Sequence, residues 1–189
     1  QLGQLDHQLG EKWVSNPFDL VGGGFNLSAF EANRVFLNEE AGSFYDITGV
    51  SGIGYDFDSR AAAVMDYNND GRLDLAVRSV GGKPLVLAEN RTEPSRFLRV
   101  QLRAANGNLR AIGARVTVHL HDRTLTRQFY PKQSFMSQSD MFVHFGLGDA
   151  KSVTRLEILW PSGKRETFSK VPVDQRIRVT EGQSLEIIH

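Results

Sequence analysis

The chain has no cysteine in its 189 residues, which excludes disulfides and thiolate metal sites and leaves the redox compartment open. It has no excess of either charge, since 22 Lys and Arg face 22 Asp and Glu. Neither a nucleic-acid partner nor an anionic membrane surface is announced by that balance, and no acidic tail points to disorder. No apolar run reaches the length of a membrane-spanning helix. Gln1 opens the sequence, with no initiator Met and no signal-peptide pattern. The expectation is a processed chain or a fragment of a longer one; if it is exported, the signal has already gone. What is plentiful is glycine, 18 residues, between short segments of alternating apolar and polar residues. That pattern predicts an all-β protein, long enough for one good core or for a small module plus a larger one.

The chemistry is concentrated in Asp66-Tyr67-Asn68-Asn69-Asp70-Gly71-Arg72-Leu73-Asp74. Oxygen-bearing side chains occupy positions 1, 3, 5 and 9 of this string, and glycine occupies position 6. Ca²⁺ takes six to eight oxygen ligands. A loop that turns at glycine can aim alternate carboxylates inward while position 7 lends a backbone carbonyl. Asp66, Asn68, Asp70, Arg72 (through its carbonyl) and Asp74 are therefore the expected metal residues. An EF-hand would need a bidentate Glu at position 12 and flanking helices. Position 12 is Val77, and the flanks Ala61 to Met65 and Leu73 to Val77 are short, apolar and strand-like. The loop reads as the turn of a β-hairpin. Low-affinity calcium loops make sense where calcium is millimolar, so the expected location is outside the cytoplasm: periplasm, cell surface or secreted.

Upstream, Leu2, Leu5, Leu9 and Trp13 recur at helical spacing and predict a short N-terminal helix closed by Ser15-Asn16-Pro17. This stripe either packs on the β module or docks a partner. Gly22-Gly23-Gly24 is a flexible break rather than a phosphate loop, because no lysine follows in the required spacing. Strands are expected at 33–38 and 44–48, before the calcium hairpin. From about residue 95 eight short strands follow at regular spacing. Leu98, Val100 and Leu102 share a face, as do Val116, Val118 and Leu120, and Leu156, Ile158 and Trp160. One buried and one wet face per strand predicts an antiparallel sandwich or barrel.

Two resemblances carry these segments further. Asn33 to Asn38, Gly42 to Thr48, Ser59 to Ala63 and the Asp66–Asp74 loop together resemble an FG-GAP/VCBS-type repeat. Phe97 to Val100, Ala111 to Val116, Phe135 to Asp140, Val143 to Gly148, Leu159 to Gly163 and Val179 to Glu181 resemble the ASPIC/UnbV domain that often follows such repeats. The implied organisation is an N-terminal helix and linker over 1–32, a calcium-binding repeat resembling one propeller blade over 33–94, and an ASPIC/UnbV-like β domain over 95–189. The resemblance implies secreted or envelope proteins whose repeats bind Ca²⁺, and it carries no catalytic residue. A propeller closes with at least four blades, and one repeat cannot bury both of its faces. The rest of a longer chain, the neighbouring domain or a protein partner is expected to cover this one.

Five histidines are present. His119 and His121, two apart on an expected strand, would face the same way and could hold a transition metal with Asp122 or His144 as third ligand. The alternative is a solvent-facing pair. No nucleophile elbow accompanies Ser134, Ser137 or Ser139, and Ser137 to Asp140 reads as a hydrogen-bonded corner. The sequence thus points to a non-enzymatic, calcium-bearing interaction or assembly module. An accessory or catalytic role in a biosynthetic pathway and glycan-binding adhesion are the alternatives.

Overall fold

The structure, a computed structural model, describes residues 32–39, 42–56, 59–79, 85–132 and 135–188. The Leu2/Leu5/Leu9/Trp13 stripe and the triple glycine lie outside the described residues. The chain divides into two compact units, Gln1–Ala62 with Ala76–Ala88, and Ala63–Leu75 with Glu89–His189.

In the first unit, β1 (Phe36–Asn38) and β2 (Phe44–Asp46) form an antiparallel hairpin with Leu37 opposite Tyr45. Its turn is closed by the Glu39 N–H donating to the Ser43 carbonyl at 2.8 Å, with Gly42 at φ +82. The second strand is shorter than the sequence suggests. At Thr48 the chain enters a single helical turn, α1 (Thr48–Ser51), just after an Asx-type bond in which the Asp46 carboxylate accepts the Thr48 N–H at 2.9 Å. Phe36, Leu37, Phe44 and Tyr45 are all more than half exposed, so this hairpin buries neither face. β3 (Ser59–Met65), β4 (Asp74–Ser79) and β5 (Leu85–Ala88) form a three-stranded sheet in that order, and the chain division between the units falls within β3 and β4.

The second unit holds two four-stranded sheets. β6 (Arg96–Arg103), β9 (Phe142–Gly148), β12 (Gln175–Thr180) and β13 (Leu185–Ile188) are arranged β13-β12-β6-β9. β7 (Arg115–His119), β8 (Thr124–Gln128), β10 (Val153–Leu159) and β11 (Arg165–Val171) are arranged β11-β10-β7-β8. The alternation seen in the sequence decides what is buried: Leu98, Val100 and Leu102 from one sheet meet Val116, Val118 and Leu156 from the other in one apolar cluster. This is a sandwich, as the patterning predicts. Its pairings are antiparallel except for β6 with β12, which run parallel, Val100 opposite Ile177. Odd-numbered residues of β6 therefore face outward, and Arg99 and Phe97 lie among them.

Candidate functional site

The calcium-type loop belongs to the same unit as the sandwich. Its backbone is wound around its own side chains. Asp66 accepts the Asp70 N–H on Oδ1 and the Gly71 N–H on Oδ2, each at 3.0 Å. Asn68 Oδ1 accepts the Asp70 N–H at 3.2 Å, and Asp70 Oδ1 accepts the Arg72 N–H at 2.8 Å. Asp74 closes the loop by accepting N–H groups from Tyr67 (3.0 Å) and Asn90 (2.8 Å). Such side-chain-to-backbone bonds are what Asp and Asn supply in turns. Gly71 is required twice over, by its φ of +87 and by the Phe97 ring, which a Cβ there would approach to 2.2 Å. Phe97 lies at a register shift in the pairing of β6 with β9, between Arg96 and Phe97.

Asp66 and Asp74 are 5% and 2% exposed, so their charges need compensation. For Asp66 it comes from Arg99, itself 2% exposed. Arg99 Nη1 donates to Asp66 Oδ2 at 2.9 Å and to Asn69 Oδ1 at 3.3 Å, and Nη2 donates to Asp140. The guanidinium also lies 4.5 Å from the centroid of the Phe142 ring. Arg72 pairs with Asp70 and donates through Nε to the Asn90 carbonyl at 2.7 Å, while Arg176 reaches Asn69 at 2.7 Å. Burial pushes the Asp70 carboxyl up, but the Arg72 N–H, the Asn68 amide and the Arg72 charge outweigh it and hold its pKa below the ordinary carboxylate value.

The donor set fits a hard cation by chemistry: carboxylates, an amide oxygen and a backbone carbonyl. A carboxylate offers about four lone-pair sites, and the contacts named for Asp70 and Asp74 leave some of these for an ion. In the described conformation, however, guanidinium groups hold the positive charge. Among the described residues no three acidic or histidine side chains converge as a metal group.

Directly opposite Arg99 on β9 stands His144. It stacks on Phe97 with ring centroids 6.3 Å apart and planes 8° from parallel. Burial, then the Arg99 and Arg127 charges, push its pKa down to about 4 against the partial opposition of Asp66 and Asp140, so it is neutral at pH 7. His144 lines a cleft of about 390 Å³ with Asp140, Arg127, Gln128 and Tyr130. The corner read at Ser137 to Asp140 forms: the Ser139 N–H donates to the Pro131 carbonyl (2.7 Å), Ser139 Oγ accepts the Val64 N–H (3.2 Å), and the Asp140 N–H donates to the Val64 carbonyl (3.0 Å).

The His119/His121 pair does not share a strand face. β7 ends at His119 because Leu120 turns, its N–H donating to the Arg123 carbonyl at 2.8 Å, and His121 falls in that turn. His119 instead lies beside Thr124, Arg155 and Glu157. The sequence reading also missed Arg99, Phe97 and Asn90 as partners of the loop, and Asp140 as the second carboxylate on Arg99. No sequence signal marked Arg99: it falls on the face of β6 that the alternation of Leu98, Val100 and Leu102 assigns to solvent. The others are set by tertiary pairing that spacing does not encode.

Comparison with known proteins agrees with this architecture. A family model described as FG-GAP-like repeat matches residues 18–77, which include the acidic loop. A second, described as ASPIC and UnbV, matches residues 104–186. No curated protein matches the chain. The chain is thus an FG-GAP-like repeat followed by an ASPIC and UnbV domain.

Proposed function

We propose that this chain is a calcium-binding β module working outside the cytoplasm as a protein-interaction or assembly subunit. The observation that carries the reading is the loop itself, an oxygen-rich turn already wound by its own N–H bonds and seated on β6 through Arg99. Asp66, Asn68, Asp70, the Arg72 carbonyl and Asp74 hold the ion. Calcium there supplies positive charge that the loop otherwise draws from arginine, and so stiffens the turn between β3 and β4. The bare faces of the β1–β2 hairpin, Phe36 and Tyr45 among them, support a protein partner or further repeats as their cover. The test is isolation of the chain from native envelope with and without a calcium chelator. Calcium-dependent, stoichiometric recovery of a partner supports the reading; recovery of the lone chain in both conditions counts against it.

A second reading, glycan binding, rests on the 390 Å³ cleft, where the Tyr130 ring stands beside the polar groups of Arg127, Gln128 and Asp140. Aromatic faces with a few planar polar groups suit sugars. Titration with neutral monosaccharides should then respond to Tyr130→Ala. Of His119, His121 and His144, only His144 lines this cleft.

A further inference from the structure

Most of the large apolar side chains left exposed on the second unit are gathered at one end of the sandwich. The loop joining β6 to β7 carries Leu109 and Ile112, and the loop joining β8 to β9 carries Phe135 and Met136, which are 70% and 81% exposed. Topology puts the two loops together. β6 ends beside the start of β9, with Gln101 opposite Phe142, and β7 starts beside the end of β8, with Arg115 opposite Gln128. The Gly113 N–H donates to the Phe129 carbonyl at 2.9 Å across the base. Each loop is held by a non-glycine residue in the left-handed region, Ala111 at φ +54 and Met136 at φ +48. That conformation costs free energy and marks positions held for a reason beyond chain reversal.

Between the loops lies a groove of about 460 Å³ whose charged lining is Arg103, Arg110 and Arg178, with Gln101 and Gln138 beside them. Arg178 is engaged by Gln101 and Glu186. Arg103 and Arg110 have no side-chain hydrogen bond or ion pair among the described residues. Neither loop contains a carboxylate before Asp140, which Arg99 takes. Glu181 accepts the Ala105 N–H of the first loop at 3.0 Å and Glu186 pairs with Arg178, so the charges left over at this apolar end are the guanidinium groups of Arg103 and Arg110.

Unpaired guanidinium groups select oxyanions. Apolar side chains projecting around them select an amphiphile rather than a free ion, since Leu, Phe and Met gain by entering the acyl boundary while arginine meets the headgroup. We propose that this end of the sandwich docks on an anionic phospholipid surface, a lipid phosphate entering the Arg103/Arg110 groove and Phe135 and Met136 entering the interface. This goes beyond the calcium-loop reading and uses none of its residues.

The test sediments the full chain with phosphatidylcholine vesicles containing about one-third phosphatidylglycerol, and with pure phosphatidylcholine vesicles. The chain should pellet with the first and stay in solution with the second, and added salt should release it. Arg103→Gln with Arg110→Gln should weaken association by about thirtyfold, from about a factor of five per cation near the surface. Phe135→Ser with Met136→Ser should weaken it by about tenfold or more. Both double variants change exposed side chains, and their circular dichroism and melting temperature should match the parent. Equal partition to neutral vesicles, wild-type binding by both variants, or full displacement by glycerol 3-phosphate at matched concentration would each overturn the proposal, the last by marking a site for free phosphate. So would a chain that ignores both vesicles while the Phe135/Met136 variant loses a stoichiometric protein partner.

Discussion

Arg99 carries more of the site than any acidic residue does. It is buried, and so is the Asp66 carboxylate it meets at 2.9 Å. Two buried charges do not by their attraction alone make a stable core, but removing one strands the other. Arg99→Met should therefore destabilise the chain by about 3–5 kcal/mol in urea unfolding. Asp66→Asn in that background should cost less than Asp66→Asn alone, and full additivity would remove Arg99 as the partner of Asp66. Gly71→Ala should cost about 2–4 kcal/mol, through its positive φ and its collision with the Phe97 ring; a wild-type melt for this variant would contradict the packing of the loop on β6. His144 gives the pH dependence. Its folded pKa of about 4 lies below the ordinary 6.5. The unfolded chain therefore binds a proton that the folded chain refuses between those values, and stability falls as pH drops from about 6.5 towards 4. The loss is at most about 3 kcal/mol before allowance for the partial exposure of the ring. His144→Asn should flatten that part of the profile, and an unchanged slope would place the titration elsewhere.

At the scale of elements, the two units differ in how well their strands are covered. β6 and β12 pair in the middle of a sheet over a buried apolar cluster, whereas β1 and β2, among the described residues, form a three-residue ladder with no further strand and exposed side chains on both faces. A two-stranded ribbon of that kind is marginal on its own. Amide exchange at Leu37 and Tyr45 should therefore be faster than at Val100 and Ile177 by several orders of magnitude. Comparable protection would mean that something covers the hairpin. The sandwich was legible from sequence because Leu98/Val100/Leu102 and Val116/Val118 alternate with period two, and burial follows that period directly. The calcium-type loop was legible for a similar reason: apart from the Asp74 bond to Asn90, its side chains bond N–H groups two to seven residues away, within the string. What was not legible depends on pairings across many residues. The parallel match of β6 with β12 and the approach of Arg99 to Asp66 follow from strand order. The H-x-H spacing misled because a strand was assumed to continue through Leu120, where a hairpin turn begins.

For the whole molecule the central variable is whether the loop draws its positive charge from arginine or from an ion. If calcium binds in the range of extracellular modules, about 0.1–1 mM, then about 10 mM calcium should stabilise the folded chain by about 2 kcal/mol. For a chain of this size that amounts to about 4–8 °C in the melting temperature. Asp70→Ala separates the roles of the loop, because Asp70 is less buried than Asp66 and pairs only with groups of the loop itself. It should leave the melting temperature in chelator within about 2 °C of wild type while abolishing most of the calcium-dependent rise. Asp66→Ala should lower the melting temperature in both conditions, because it strands Arg99 as well as removing a ligand. Equal calcium shifts in wild type and Asp70→Ala would dissociate the ion from this loop. No shift in either would mean that Arg72 and Arg99 neutralise the carboxylates permanently, making the string an arginine-filled turn whose assembly role, if any, proceeds without calcium.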